Sequence, residues 1–132
     1  MKATLITNII FLFIVSSCAS VSSIQNAPLH SGSSREFKAE FDKVLRAARE
    51  SVTDAGLLIE YASDMGDMRW MIIGKKGTSF YSSGEIVRVI VEQMSDHSTR
   101  VWVYTKKRVA TQVAAKGDYS NSIFSGISLR LH

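Results

Sequence analysis

The chain has 132 residues, with 16 Lys and Arg against 12 Asp and Glu, and a single cysteine, Cys18. That length suits one domain rather than two, and one thiol excludes an intrachain disulfide and any cysteine-built metal site. The net charge of +4 includes Lys2, and the basic residues are scattered apart from Lys75-Lys76 and Lys106-Lys107-Arg108; this is no nucleic-acid signature.

The first element is a leader. Met1 and Lys2 precede an apolar run from Leu5 to Val15, broken by Thr7 and Asn8 and followed by Ser16-Ser17-Cys18. A positive start, an apolar middle and small residues at the end are the parts of an export signal. A membrane-spanning helix needs about 20 apolar residues, and this run is shorter. Val15-Ser16-Ser17-Cys18 resembles the lipobox of bacterial lipoproteins, although the usual aliphatic residue there is Leu. The resemblance implies cleavage between Ser17 and Cys18, acyl chains such as palmitate on Cys18, and attachment to a membrane of the cell envelope. Each buried methylene contributes about 0.8 kcal/mol, and stable anchoring takes more than one chain. By the same resemblance Ala19, where an Asp would signal inner-membrane retention, favours the outer membrane facing the periplasm. The other reading of these residues is an ordinary cleaved signal with an incidental cysteine.

Residues 19–34 are Ser-rich and hold the only proline, Pro28. They read as a flexible tether with an r.m.s. span on the order of 20 Å. The expected organisation is a signal peptide over 1–17, a lipidated Cys18 and tether over 18–34, and a folded body over 35–132.

Within the body, Ser33-Ser34-Arg35-Glu36 fits a capping box. Phe37, Phe41, Val44, Leu45, Ala48 and Val52 follow at helical spacing, and Gly56 suits the C-terminal cap. Four strands are then predicted over 57–63, 68–75, 85–94 and 99–107. The first two are joined by a turn at Asp64-Met65-Gly66-Asp67, and residues 77–84 form a loop. By the two-residue period, Val87, Val89 and Val91 share one face and Ile86, Arg88, Ile90 and Glu92 the other. Val101 and Val103 are likewise set against Arg100, Trp102, Tyr104 and Lys106. Asp118 caps a last helix carrying Ile123, Phe124 and Ile127, while 108–117 is a strand extension or a connection. The predicted fold class is α+β with two layers: an N-terminal helix packed on a four-stranded antiparallel sheet, and a short C-terminal helix.

Phe41-Asp42-Lys43-Val44, Asp54-Ala55-Gly56-Leu57, Ser98-Thr99-Arg100-Val101 and the Ile123/Ile127 helix also resemble a family of small α/β bacterial lipoproteins of unknown function. The resemblance covers most of the body, implies a two-layer periplasmic domain and transfers no catalytic residue. The loop over 77–84 and the Lys106-Lys107-Arg108 run depart from that pattern.

No nucleophile elbow, phosphate loop or HExxH stands in the sequence. The histidines, His30, His97 and His132, sit in no recognisable catalytic motif. Asp64 and Asp67 read as turn formers rather than cation ligands. The expectation is therefore a non-enzyme without cofactor or metal. Two roles follow. The first is a protein-interaction or structural unit, with Arg100, Trp102, Tyr104 and Arg88 as the candidate partner surface, since aromatics and Arg dominate hot spots, or with a strand edge that takes an added strand. The second is a binder of lipid or cell-wall fragments in a pocket between helix and sheet. The contrary expectation for the Trp102 face is that the C-terminal helix covers it.

Overall fold

A computed structural model of the chain describes residues 19–76, 84–107 and 118–132. The leader, with Ser17 and Cys18, lies outside them, as do residues 77–83 of the expected loop and the connection 108–117. In chain order the elements are α1 (Ala19–Gln25), β1 (Ser33–Phe37), α2 (Phe41–Asp54), β2 (Leu58–Gly66), β3 (Arg69–Lys76), β4 (Glu85–Ser95), β5 (Ser98–Lys107) and α3 (Ser120–Arg130). The strands form one antiparallel sheet in the order β1-β5-β4-β3-β2.

β4 is the middle strand and explains the layering. Its residues Glu85 to Val91 are all buried, the mark of a strand covered on both faces. On the front face Val87, Val89 and Val91 meet Val101, Val103 and Ile72 under α2 and α3. α2 brings Phe41, Val44, Ala48 and Val52, and α3 brings Ile123, Phe124 and Ile127. On the back face Ile86 and Ile90 cluster with Met71, Ile73 and Ile24. α1 is too short to form a layer of its own, and of its side chains from Val21 onward only Ile24 is fully buried.

The structure corrects the predicted fold class. Among the described residues the sheet has five strands, not four, and there are three helices, not two. The additional strand, β1, occupies the sequence read as a helix start. Ser33 pairs with Val103 and Phe37 with Thr99, so no capping box forms and α2 begins only at Phe41, with Glu40 as an N-cap that makes no side-chain cap bond. The cause is a non-local demand: β5 has an outer edge of backbone groups that need partners. Glu36 supplies side-chain complementarity across that edge, accepting from Ser98 and facing Arg100 at 3.4 Å. Phe37 still reaches the front core, 6.3 Å from the Phe124 ring, but from a strand end. The expected tether is likewise no featureless linker over its described residues, since it holds α1, a set of turns and the start of β1.

Two glycines fix the geometry around these elements. α2 ends in a Schellman arrangement, with Gly56 at φ 87°, its N–H on the Thr53 carbonyl and the Leu57 N–H on that of Val52. Gly32, at φ 88°, turns the chain from the N-terminal segment into β1, and a Cβ there would sit 2.1 Å from the Val103 carbonyl oxygen. At Gly56 a Cβ would meet only the flexible Lys76 ammonium, at 3.1 Å. Gly32→Ala should therefore lower stability by about 3 kcal/mol or more, and Gly56→Ala by only about 1–2 kcal/mol. Urea-unfolding midpoints of the two variants check the order.

Candidate functional site

The back of the sheet is the most unusual surface of the molecule. Period-two alternation brings Arg88 and Ile90 of β4 to one face, and the ladder register sets Arg88 beside Tyr104 and Ile90 beside Trp102. From the other side β3 places Ile73 beside Arg88 and Met71 beside Ile90. Arg88 is thus a guanidinium in the middle of an apolar sheet, 1 % exposed. Burying a charge is expensive unless it is hydrogen-bonded, and no carboxylate meets it among the described contacts.

The N-terminal segment supplies what Arg88 lacks. Nη1 donates to the carbonyls of Ile24 (3.0 Å) and Ala27 (2.8 Å). Nη2 donates to those of Pro28 (2.6 Å) and Leu29 (3.4 Å). These carbonyls lie in the last turn of α1 and just beyond it, where helical carbonyls run out of partners and a cation is favoured. The guanidinium carbon also lies 5.8 Å from the Tyr104 ring centroid, within cation–π range. Burial pushes the Arg88 pKa down from its ordinary value, yet an arginine starts so high that it keeps its charge.

Further along the segment, His30 stacks on Trp102 with centroids 4.5 Å apart. Its Nε2 lies 3.4 Å from a Glu92 carboxylate oxygen. Val21 and Leu29 pack at the edge of the cluster around Ile24, as do Tyr61, Trp102 and Tyr104. Lys106 adds a bond from its ammonium to the Ser23 hydroxyl at 2.8 Å.

Of the sequence-derived partner surface, Arg88, Trp102 and Tyr104 do come together, beneath residues 21–30. Arg100 stands apart, paired with Glu36 of β1. The expectation that the C-terminal helix covers the Trp102 face is corrected: α3 lies on the opposite face, against Val101 and Val103. The cover comes from the N-terminal segment, whose Ile24, Leu29 and His30 were missed by sequence reasoning. The signal available was weak: lone apolar residues and a proline inside a Ser-rich stretch.

Other chemistry is sparse. Asp64 accepts the Gly66 N–H at 2.8 Å, and Asp67 faces Arg69 at 3.6 Å. The turn itself is centred on Asp67-Met68, both at φ 55°, two residues beyond the centre of the predicted turn. A shallow cleft of about 520 Å³ between α2 and α3 holds Lys43, Arg46, His97 and Arg130. Among the described residues no three His, Cys, Asp or Glu gather as a metal site, and no helix is long and apolar enough to cross a membrane. At the rim of the sheet the Tyr119 hydroxyl donates to Glu85 at 3.3 Å. Desolvation first, then the Glu85 charge, push the Tyr119 pKa up to about 12.

No protein-family model matches the chain, and no curated protein is significantly similar to it.

Removing the guanidinium leaves the four carbonyls without their shared donor, a loss of about 3 kcal/mol. Arg88→Met should therefore raise hydrogen exchange across residues 24–32 by roughly a hundredfold and expose them to limited proteolysis, while the amides of α2 and β4 stay protected. Tyr119 gives a pH prediction. Its neutral form is favoured in the fold, so this stabilisation is complete below pH 10, the ordinary phenol value, and is lost as pH rises toward about 12. Tyr119→Phe should remove one late phenolate from the ultraviolet titration and make the alkaline fall in stability shallower.

Proposed function

We propose that this chain is a lipoprotein of the bacterial cell envelope. Acyl chains on Cys18 hold it to the membrane, on the periplasmic side of the outer membrane by the Ala19 criterion, and its body is a non-catalytic protein-interaction or structural unit. The lipobox-like Val15-Ser16-Ser17-Cys18 and the resemblance to small α/β lipoproteins support the anchor.

The observation that carries the structural part of the reading is the Arg88 clasp. The segment leading from Cys18 into the body is fastened to the back of the sheet by four hydrogen bonds. A partner is then met elsewhere than on the Trp102 face. The outer strand β2 suits it, because among the described residues its far edge has no strand neighbour and can accept one by β-augmentation. Its register is regular from Tyr61 to Asp64, between two irregularities.

The second reading, a binder of lipid or cell-wall fragments between helix and sheet, has less to support it. Val44, Ala48 and Val52 of α2 and Val87, Val89 and Ile72 of the sheet, all fully buried, fill that space.

The anchor is tested by growing cells on labelled palmitate and weighing the amino-terminal peptide of the native product. The wild-type chain should carry label on a peptide beginning at Cys18, and Cys18→Ser should carry none. An unmodified or uncut terminus overturns the reading. For the interaction role, a photo-cross-linker at Ser63 of β2 should capture a discrete envelope protein, whereas one at Trp102 should capture only the chain's own N-terminal segment.

A further inference from the structure

Lys75-Lys76 and Lys106-Lys107 are distant in sequence and adjacent in the sheet. Lys75 pairs with Ile86, and Ile86 with Lys106; Lys76 pairs with Glu85, and Glu85 with Lys107. Both runs therefore close the same end of the sheet. The Lys76 and Lys106 side chains are exposed there. Leu58, the register partner of Lys75, is 69 % exposed, and Ile59 beside it is 38 % exposed. Exposed large apolar side chains at a sheet end that carries lysines are the composition of a surface that rests in a headgroup layer.

The chain toward Cys18 leaves from this same end. Ser23 is held by Lys106, and the five residues back to Cys18 span at most about 18 Å even when fully extended. The acidic groups nearby are largely engaged. Glu85 is buried and receives the Tyr119 hydroxyl, Asp118 accepts from Ser120, and Asp54 is bonded to Arg130. Exposed Glu60 directly follows Ile59 on β2 and adds one negative charge at this end. The sequences 77–83 and 108–117 contain no Asp or Glu. By contrast Asp64, Asp67 and Asp96 all belong to the hairpins at the other end.

We propose that the lysine end, with Leu58 and Ile59, is a docking surface for an anionic lipid layer, so that the body lies against the bilayer that holds its acyl chains. The proposal rests on the Cys18 reading, and charge complementarity together with the short lead to Cys18 selects lipid as the occupant. Each lysine near an anionic surface is worth about fivefold in the docked population, and the effect is screened by salt.

The test is lysine footprinting of the full chain as processed by the cell. The protein is mixed with vesicles of phosphatidylcholine alone or with added phosphatidylglycerol, and a water-soluble amine reagent is applied. Lys76 and Lys106 should react at least about fivefold more slowly on the anionic vesicles at low salt, and the protection should vanish in about 1 M salt, where the screening length is about 3 Å. Lys38 and Lys43, at the far end, are the internal controls. Leu58→Ser should weaken the protection severalfold. Retention on washed phosphatidylcholine vesicles reports the acyl anchor separately. Retention with Lys76 and Lys106 reacting like the controls overturns the docking surface and leaves the anchor standing. Protection on anionic vesicles by a protein that washes off neutral ones upholds the surface and overturns the anchor.

Discussion

The structure depends on one buried charge. Arg88 sits almost fully buried at the centre of the sheet's back face, no carboxylate meets it among the described residues, and the fold answers with backbone carbonyls. Regular structure would supply them poorly, because a continuing helix or a strand commits its carbonyls to the ladder. A segment that leaves its helix at Gln25 and passes through Pro28, which has no N–H and cannot continue a helix, can turn several carbonyls toward one point. The Ser- and Pro-containing composition that looks like a linker is thus what lets residues 24–29 wrap a guanidinium.

This explains why part of the fold was legible in the sequence and part was not. The faces of β4 and β5 followed from alternation: Val87, Val89, Val91, Val101 and Val103 point to the front, and Ile86, Arg88, Ile90, Trp102 and Tyr104 to the back. Alternation says nothing about what covers a face, and the uninterrupted burial of Glu85 to Val91 needed two covers, not one. β1 was hidden for a different reason. Ser-Ser-Arg-Glu-Phe has one buried residue and no strand propensity to speak of, and its local pattern matches a helix cap. What makes it a strand is the edge of β5, far along the chain, and only the folded topology brings that edge within reach.

The candidate surface shows the same division. Arg, Trp and Tyr on one strand face are the composition of a binding hot spot, and that composition does mark a place where chain segments dock. The docked segment is the protein's own. A sequence pattern reports a capacity for contact; which partner fills it depends on effective concentration, and a segment joined to β1 through Gly32 is always present at a high one. The N-terminal segment therefore holds the face against any external partner of comparable affinity.

Fastening that segment changes what an anchor at Cys18 can do. A free linker over residues 19–34 would let the body tumble on the order of 20 Å from its attachment, and any asymmetry of charge would average away. With Ile24 to Leu29 clamped under Arg88, only the few residues before Ser23 remain between the proposed acyl chains and the sheet. Over so short a lead the body has few orientations left. A lysine-bearing end beside the attachment and an Asp-bearing end away from it then act together rather than independently, because the clamp converts a point of attachment into a plane of contact. In this reading the buried arginine acts at a distance: it touches neither lipid nor partner, and it decides which end of the sheet meets the membrane and leaves the β2 edge as the side turned to other proteins.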